Sequence, residues 1–401
     1  VMNEQRMKPT KAILGAILLI CAALLAAACG GDGGEASDPA RSNGNVVELT
    51  AAAAKPVVTH YADGVAASYA ATIASASKLR TAAADFTADP SEATLQATKD
   101  QWLAARDDYG PTEAFRFYDG PIDEPANGPE GRINAWPMDE AYVDYVEGDP
   151  SAGIINNPQA FPEITEKVLT EANEDGGETN ISTGWHAIEF LLWGQDFADN
   201  GPGERPVTDY TTAAHSDRRA TYLNLLSELL VADLTSVAAA WDPDVKDNYR
   251  TAFLADPVKS VGYMFRGIGA LTVGELASQR IAVAIETADQ EDEHSCFSDN
   301  TNADLRNNAL GVQWVYLGTY PGTSGPGLDT LVQEADADLN EKLTLQIEAS
   351  VKLTQAYPTT FDQMIVLDPE PLELTVKALE VQGELIARAA SSLGLNVELG
   401  V

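Results

Sequence analysis

Asn180-Ile-Ser-Thr-Gly-Trp-His-Ala-Ile-Glu-Phe-Leu-Leu-Trp-Gly-Gln-Asp196 places an imidazole and a carboxylate inside the most apolar helical run of the chain. Residues three apart on an α-helix are separated by about 300° around the axis and roughly 4.5 Å along it. His186 and Glu189 therefore leave one face and can share a ligand. Ile188, Leu191 and Leu192 need a core to bury in, so the polar pair is expected where a packed helix borders a cleft.

The flanks carry the same helical style. Tyr61, Val65, Tyr69, Ile73, Ala76 and Leu79 recur at three- and four-residue spacing, which predicts a helix with one buried stripe. Asp89-Pro90-Ser91-Glu92 reads as the next helix start, with Asp89 as the cap, and that helix carries Leu95, Trp102 and Tyr109. From Gly110 to Pro162 the pattern breaks into Gly- and Pro-rich segments such as Asn134-Ala-Trp-Pro-Met-Asp-Glu140. Irregular stretches of this length in a helical protein are usually wrapped on a site. A short helix is expected near Glu163 to Asn173. Leu223, Leu226, Leu230, Leu234, Val237 and Trp241 form a further stripe, and long helices are expected from Pro257 towards Ala288, from Leu328 to Ala356 and from Glu370 to Leu393. Strand signals are nearly absent. The reading is all-α, two helical-bundle domains packed together, over residues 46–205 and 206–401.

With 61 acidic against 25 basic residues the net charge is −36, and no basic patch is present, so nucleic acid is excluded as a partner and cations are favoured. Arg6, Lys8 and Lys11 precede an apolar segment from Ala12 to Ala28 that ends at Cys29, which reads as a signal peptide over 1–28. Small residues before a cysteine resemble the lipobox of bacterial lipoproteins, although Ala26 stands where Leu is usual; cleavage without lipidation is the alternative. The expectation is an exported protein of the bacterial cell envelope, lipid-anchored through Cys29 and facing the periplasm. Residues 29–45 have the Gly, Ser, Asp and Pro composition of a flexible tether. Beyond Cys21 and Cys29 only Cys296 remains, so no internal disulfide can form.

His-x-x-Glu alone is a weak signal: 61 acids in 401 residues give any histidine about a 15% chance of an acid at a given offset, and there are four histidines. His60 with Asp63 reads as decoration of an ordinary amphipathic helix, His215, followed by Arg218 and lying before a helix start, as solvated, and His294, among Glu291, Asp292 and Glu293, as structural or capping. The longer context is more specific. Gly184-Trp-His-Ala-Ile-Glu189 followed by Phe-Leu-Leu-Trp-Gly resembles the G-x-H-x-x-E signature of the imelysin-like family. Thr112-Glu-Ala-Phe-Arg-Phe117, Asn134-Ala-Trp-Pro137, Gly153-Ile-Ile155 and Glu293-His-Ser-Cys-Phe-Ser-Asp-Asn-Thr301 resemble its iron-regulated protein A branch.

That resemblance implies four-helix-bundle-like domains related by a pseudo-twofold axis, with the site between them, and a role tied to iron acquisition. It marks His186 and Glu189 as the signature pair, with Glu113 the third candidate metal ligand and Arg116, Ser298, Asp299 and Asp304 as further site residues. The sequence departs at Asn302, where the family usually has His. Thr301 with Asp304 also reads as a helix cap, and Arg116 as the neutraliser of Glu113.

Three functions stay open. One is a metal-binding protein serving iron uptake, holding an ion or metal complex and passing it to an envelope transport partner. One imidazole with carboxylates favours iron, with zinc or copper as alternatives. The second is a zinc-type metallopeptidase, which needs three protein ligands and a separate base; Phe190 stands where the inverted His-x-x-Glu-His motif requires a second histidine. The third is a protein- or ligand-docking module without metal.

Overall fold

Eight long helices carry the fold of the computed structural model, which describes residues 47–198 and 201–398. The segments expected to be a signal peptide and a tether, with Cys29 between them, lie outside the described residues. Helix α1 (Ala51–Ala88) starts at Thr50, whose side chain accepts from the Ala53 amide, and buries Tyr61, Val65, Tyr69, Ala76 and Leu79. The predicted stripe is therefore the buried face. Helix α2 (Glu92–Tyr109) begins two residues later than Asp89 would place it. Its cap is Ser91, closed in a reciprocal capping box with Thr94, while Asp89 instead terminates α1.

Helix α3 (Gly184–Trp193) is the opening stretch, and all ten of its residues are buried. Helix α4 (Ser216–Trp241) buries Leu223, Leu226, Leu230, Leu234, Val237 and Trp241. It lies along α1, which also holds α2, and α3 packs on both α2 and α4. This first group of four helices thus draws α4 from beyond residue 206.

The second group begins with α5 (Pro257–Ala270). It runs without interruption into a π-helical stretch, Leu271–Ala282, and a last turn, Val283–Thr287. Helices α6 (Thr301–Leu317) and α8 (Glu370–Ser392) pack with it, and α7 (Ala337–Gln355) packs on α6 and α8. The helix expected from Leu328 to Ala356 is divided at Asp336, whose carboxylate accepts from the Leu339 amide and starts α7 afresh. Among the described residues, strand is limited to the pair Thr319–Tyr320 and Thr323–Ser324, so the protein is all-α. Residues Gly44–Val401 form one compact unit.

The irregular 110–180 region lies against these helices and brings polar side chains into the interior. Gly110–Phe115 forms a 3-10 turn that packs on α6. A Cβ on Gly311 of α6 would stand 2.3 Å from the Pro111 carbonyl oxygen, so only glycine allows this approach.

Candidate functional site

The G-x-H-x-x-E helix owes its position to Gly184. This residue has φ of +87°, and a Cβ there would lie 2.6 Å from the Ile133 carbonyl oxygen. Glycine thus lets the helix begin against the 130–134 segment, directing His186 and Glu189 towards the chain's second half. Trp185 and Trp193 of the same helix enclose Trp102 of α2, whose indole N–H donates to the Trp185 carbonyl at 3.1 Å. An aromatic core thereby fixes the helix on which the pair is mounted.

His186 Nδ1 lies 2.9 Å from Glu189 Oε2, so the predicted pair exists. Ser298 closes the other side, its amide and hydroxyl donating to Glu189 Oε1 at 3.0 and 2.7 Å. Glu189 therefore has both oxygens engaged. Burial raises its carboxyl to about 8, with the Ser298 hydrogen bonds pulling the other way. Burial, with His294 adding to it, pushes the imidazole of His186 well below its ordinary value, so the ring is neutral. Its Nε2 is buried and has no hydrogen-bond partner.

His294, read from sequence as structural or capping, has its ring 4.8 Å from that of His186, edge to face. Its Nδ1 lies 2.8 Å from Asp304 Oδ2, which also accepts from Ser295 Oγ at 2.5 Å. Asp304 Oδ1 meets Arg106 Nη2 at 3.0 Å in a fully buried ion pair. Burial would raise the Asp304 carboxyl, but Arg106, together with the hydrogen bonds of His294 and Ser295, outweighs it and holds the group ionised far below the usual range. Arg106 lies 5.3 to 5.7 Å from the ring centroids of Trp102, Tyr109 and Trp185, a cation–π setting for a charge without water. Trp136 completes the wall, its ring 4.8 Å from His186 and 6.4 Å from His294. Two imidazoles, each held through Nδ1 by a buried carboxylate, thus share one small interior space.

Glu113 does not join them. Arg280 grips it with Nη1 at 3.2 Å and Nη2 at 2.5 Å; Arg116, Asn134 and Asn308 donate at 3.2, 3.3 and 3.1 Å. Burial would raise this carboxyl, but Arg280 first and Arg116 after it bring it down to about 2. Its oxygens are saturated by cationic and amide donors, which leaves no acceptor for a metal ion. The expected ligand set His186, Glu189 and Glu113 is therefore not assembled. Arg116 does neutralise Glu113, and it also pairs with Glu130 at 2.9 Å. Arg106 joins the two networks, since its Nη1 donates to Asn134 Oδ1 at 2.6 Å.

Of the remaining predicted residues, Ser298 and Asp304 belong to the histidine network, whereas Asp299 faces Glu293 and Asp362 instead. Thr301 Oγ1 accepts from the Ser295 amide at 2.9 Å, bracing the loop that carries His294. Asn302 donates to the Thr359 carbonyl at 2.8 Å. Cys296 is buried and free. His60 sits elsewhere, bonded to the Gly318 carbonyl, and Asp63 pairs with Arg250 rather than with it. His215 precedes α4 with a left-handed backbone, φ of +60°. Arg106, Trp136, Arg280 and Asn308 were not singled out from sequence. Trp136 and His294 lie in segments that the family resemblance had marked, and that was their available signal.

The family model described as Imelysin matches residues 65–387. The chain belongs to the imelysin family. Iron-regulated protein A of Synechococcus elongatus is 26% identical to this imelysin-like chain over 304 residues, 73% of either protein. Two solved structures share the fold. An iron-regulated protein A precursor from Parabacteroides distasonis has a TM-score of 0.69 at 18% identity, covering 86% of this chain and 96% of its own. An imelysin-like protein from Psychrobacter arcticum has a TM-score of 0.66 at 17% identity, covering 88% and 99%. The imelysin signature Gly184-x-His186-x-x-Glu189 is therefore carried on an imelysin-like fold.

Proposed function

We propose that this imelysin-like protein is a lipid-anchored envelope protein that binds a metal ion or metal complex, iron foremost, on His186 and His294 and serves iron uptake without catalysing a reaction. One observation carries the reading: each imidazole has Nδ1 held by a buried carboxylate, Glu189 for His186 and Asp304 for His294. Once Glu189 has given up its proton, which metal binding would drive, this carboxylate–histidine pairing is the outer-shell arrangement that orients imidazole ligands and raises their basicity. A neutral ring is also the ligating form, and the buried, unpartnered Nε2 of His186 is the atom that would bind. Imidazole suits iron, copper and zinc alike.

Two histidines supply two ligands. The remaining coordination positions fall to the cargo's own ligands or to water, which favours a metal complex over a bare ion. The iron assignment rests on the name of the Synechococcus relative. The tether and the cysteine at its head support attachment to the membrane, and an iron-transport partner in the envelope would take the cargo.

The peptidase reading is less well supported. Glu189, its natural general base, is bound at both oxygens, and the three ligands that a zinc hydrolase uses are not gathered around it.

Calorimetric titration of the full chain with Fe2+ under anaerobic conditions, and with Zn2+ and Cu2+, tests the proposal. One ion per chain is expected, with affinity lost in His186→Ala and in His294→Ala and lowered about 10- to 100-fold in Glu189→Gln. Equal binding by wild type and both histidine variants would overturn it. Zinc-dependent cleavage of an unfolded protein, abolished by Glu189→Gln, would favour the peptidase instead.

A further inference from the structure

Glu293, Asp299 and Asp362 come together from two distant parts of the chain, and each offers a carboxylate oxygen within 4.8 Å of the others. Glu293 is completely buried, and neither of its oxygens makes a hydrogen bond of good geometry; Thr301 is the one side-chain donor that acts on it. Both oxygens of Asp299 and Oδ1 of the buried Asp362 likewise lack a well-formed hydrogen bond, the Gly201 amide being the one donor that acts on Asp299. A buried carboxylate without a partner costs several kcal/mol, and three facing one another repel as well.

The rest of the interior shows how this chain ordinarily treats buried acids. Asp144 is met by Arg205 at 2.9 Å and Arg219 at 2.6 Å, Glu113 by Arg280, and Asp304 by Arg106. Among the described residues no ion pair reaches Glu293, Asp299 or Asp362. The charges acting on Glu293 are other acids, Asp299, Asp362 and Glu189, and those acting on Asp299 are Asp362 and Asp196. The cluster thus has negative charge and poorly bonded oxygens, but no protein cation to answer them.

We infer that Glu293, Asp299 and Asp362 form a second metal site, for a hard, oxygen-preferring cation of the calcium class. Oxygens around one Ca2+ at about 2.4 Å can be at most about 4.8 Å apart, the limit that this group meets. The absence of nitrogen and sulfur donors separates it from the imidazole pair and selects hard ions such as Ca2+ or Mn2+, with Fe3+ sharing the chemistry.

The bound ion would also fasten the fold. Asp299 stands in the 293–300 loop that carries His294 and leads into α6, and Asp362 opens the short helix Phe361–Leu367. Gly203 donates to the Phe297 carbonyl at 2.9 Å and Gln290 to Asp196 at 2.5 Å, which ties the loop after α3 into the same region. A cation there would hold the His294 loop in place from its outer side. The site stands on its own residues and does not depend on metal binding by His186 and His294.

The test is calorimetric titration of the full chain in chelator-free detergent buffer with CaCl2, then MnCl2, and with Fe3+ presented as citrate, alongside thermal unfolding. One Ca2+ per chain is expected, saturating at or below about 1 mM, with a rise in Tm. Glu293→Gln and Asp362→Asn should each lower affinity by at least about tenfold, since ligand charge sets it. Glu171→Gln, an exposed acid, should not. Without cation, Glu293→Gln should match or exceed the wild-type Tm, because it removes a repelled buried charge; a merely structural glutamate would give the reverse. Fe3+ binding without Ca2+ or Mn2+ binding would overturn the calcium-class assignment. No saturable binding of any of the three ions, or equal binding by the Glu293 and Asp362 variants, would overturn the site. Calcium titration does not involve the imidazoles, so its failure is distinguishable from failure of the histidine site.

Discussion

Asp304→Asn is the most informative single change, because Asp304 joins the aromatic core to the candidate ligand His294. Its Oδ1 compensates Arg106, whose guanidinium is enclosed by Trp102, Tyr109 and Trp185 and cannot turn to water. Removing one member of a buried ion pair leaves an uncompensated charge and costs about 3–5 kcal/mol. Unfolding entropy of roughly 2.1 cal/mol/K per residue over about 350 residues is about 0.7 kcal/mol/K, so the expected fall in Tm is about 4–7 °C. Differential scanning calorimetry at pH 7 reads it directly. The companion variant Arg106→Met should be similarly costly alone, and the double variant should be more stable than the two losses added together, by about 2 kcal/mol. A cost below about 1 kcal/mol for Asp304→Asn, or strict additivity in the cycle, would refute the account of a buried charge held by one partner. Asp304→Asn should also release His294 and lower metal affinity even where the fold survives.

Two further outcomes follow from the site's geometry. Gly184→Ala forces a Cβ to 2.6 Å from the Ile133 carbonyl at a residue with φ of +87°; strain and overpacking together should cost about 2–4 kcal/mol, read by chemical denaturation, and a neutral result would contradict the packing of the helix start. The Glu189 carboxyl is raised to about 8 in the fold. Its contribution to stability is thus fully present below the unfolded value near 4.5 and is lost as pH rises towards 8, at about 1.4 kcal/mol per pH unit. Glu189→Gln should flatten that part of the metal-free stability profile, and an unchanged slope would count against the raised value.

The helices were legible because burial leaves a 3.6-residue imprint, as in Leu223, Leu226, Leu230 and Leu234, each buried on α4. Caps were less so. Asp89-Pro90 has the composition of a helix start, but Ser91 and Thr94 have the reciprocal geometry and take the role. The division at Asp336 was hidden because apolar spacing continues across it. The site was only partly legible, since His186 and Glu189 interact along one helix, which sequence spacing can express. Glu113 was taken for a ligand because its neutralising partner, Arg280, lies 167 residues away. His294 was set aside on the strength of its acidic neighbours, whereas Asp304, ten residues on, is the acid that holds it.

The polar network also bears on the order in which the molecule folds. Ser298 reaches Glu189 across 109 residues, Arg280 reaches Glu113 across 167 and Asn308 reaches Gly110 across 198. Loop closure of this span is entropically costly, and such contacts form after local helices have docked. The imidazoles of His186 and His294 are brought together only when the two halves of the chain have met, so the paired site is a late product of folding. Partly folded chains would have the G-x-H-x-x-E helix without its opposite wall, and capture of a metal by both rings would report that folding is complete.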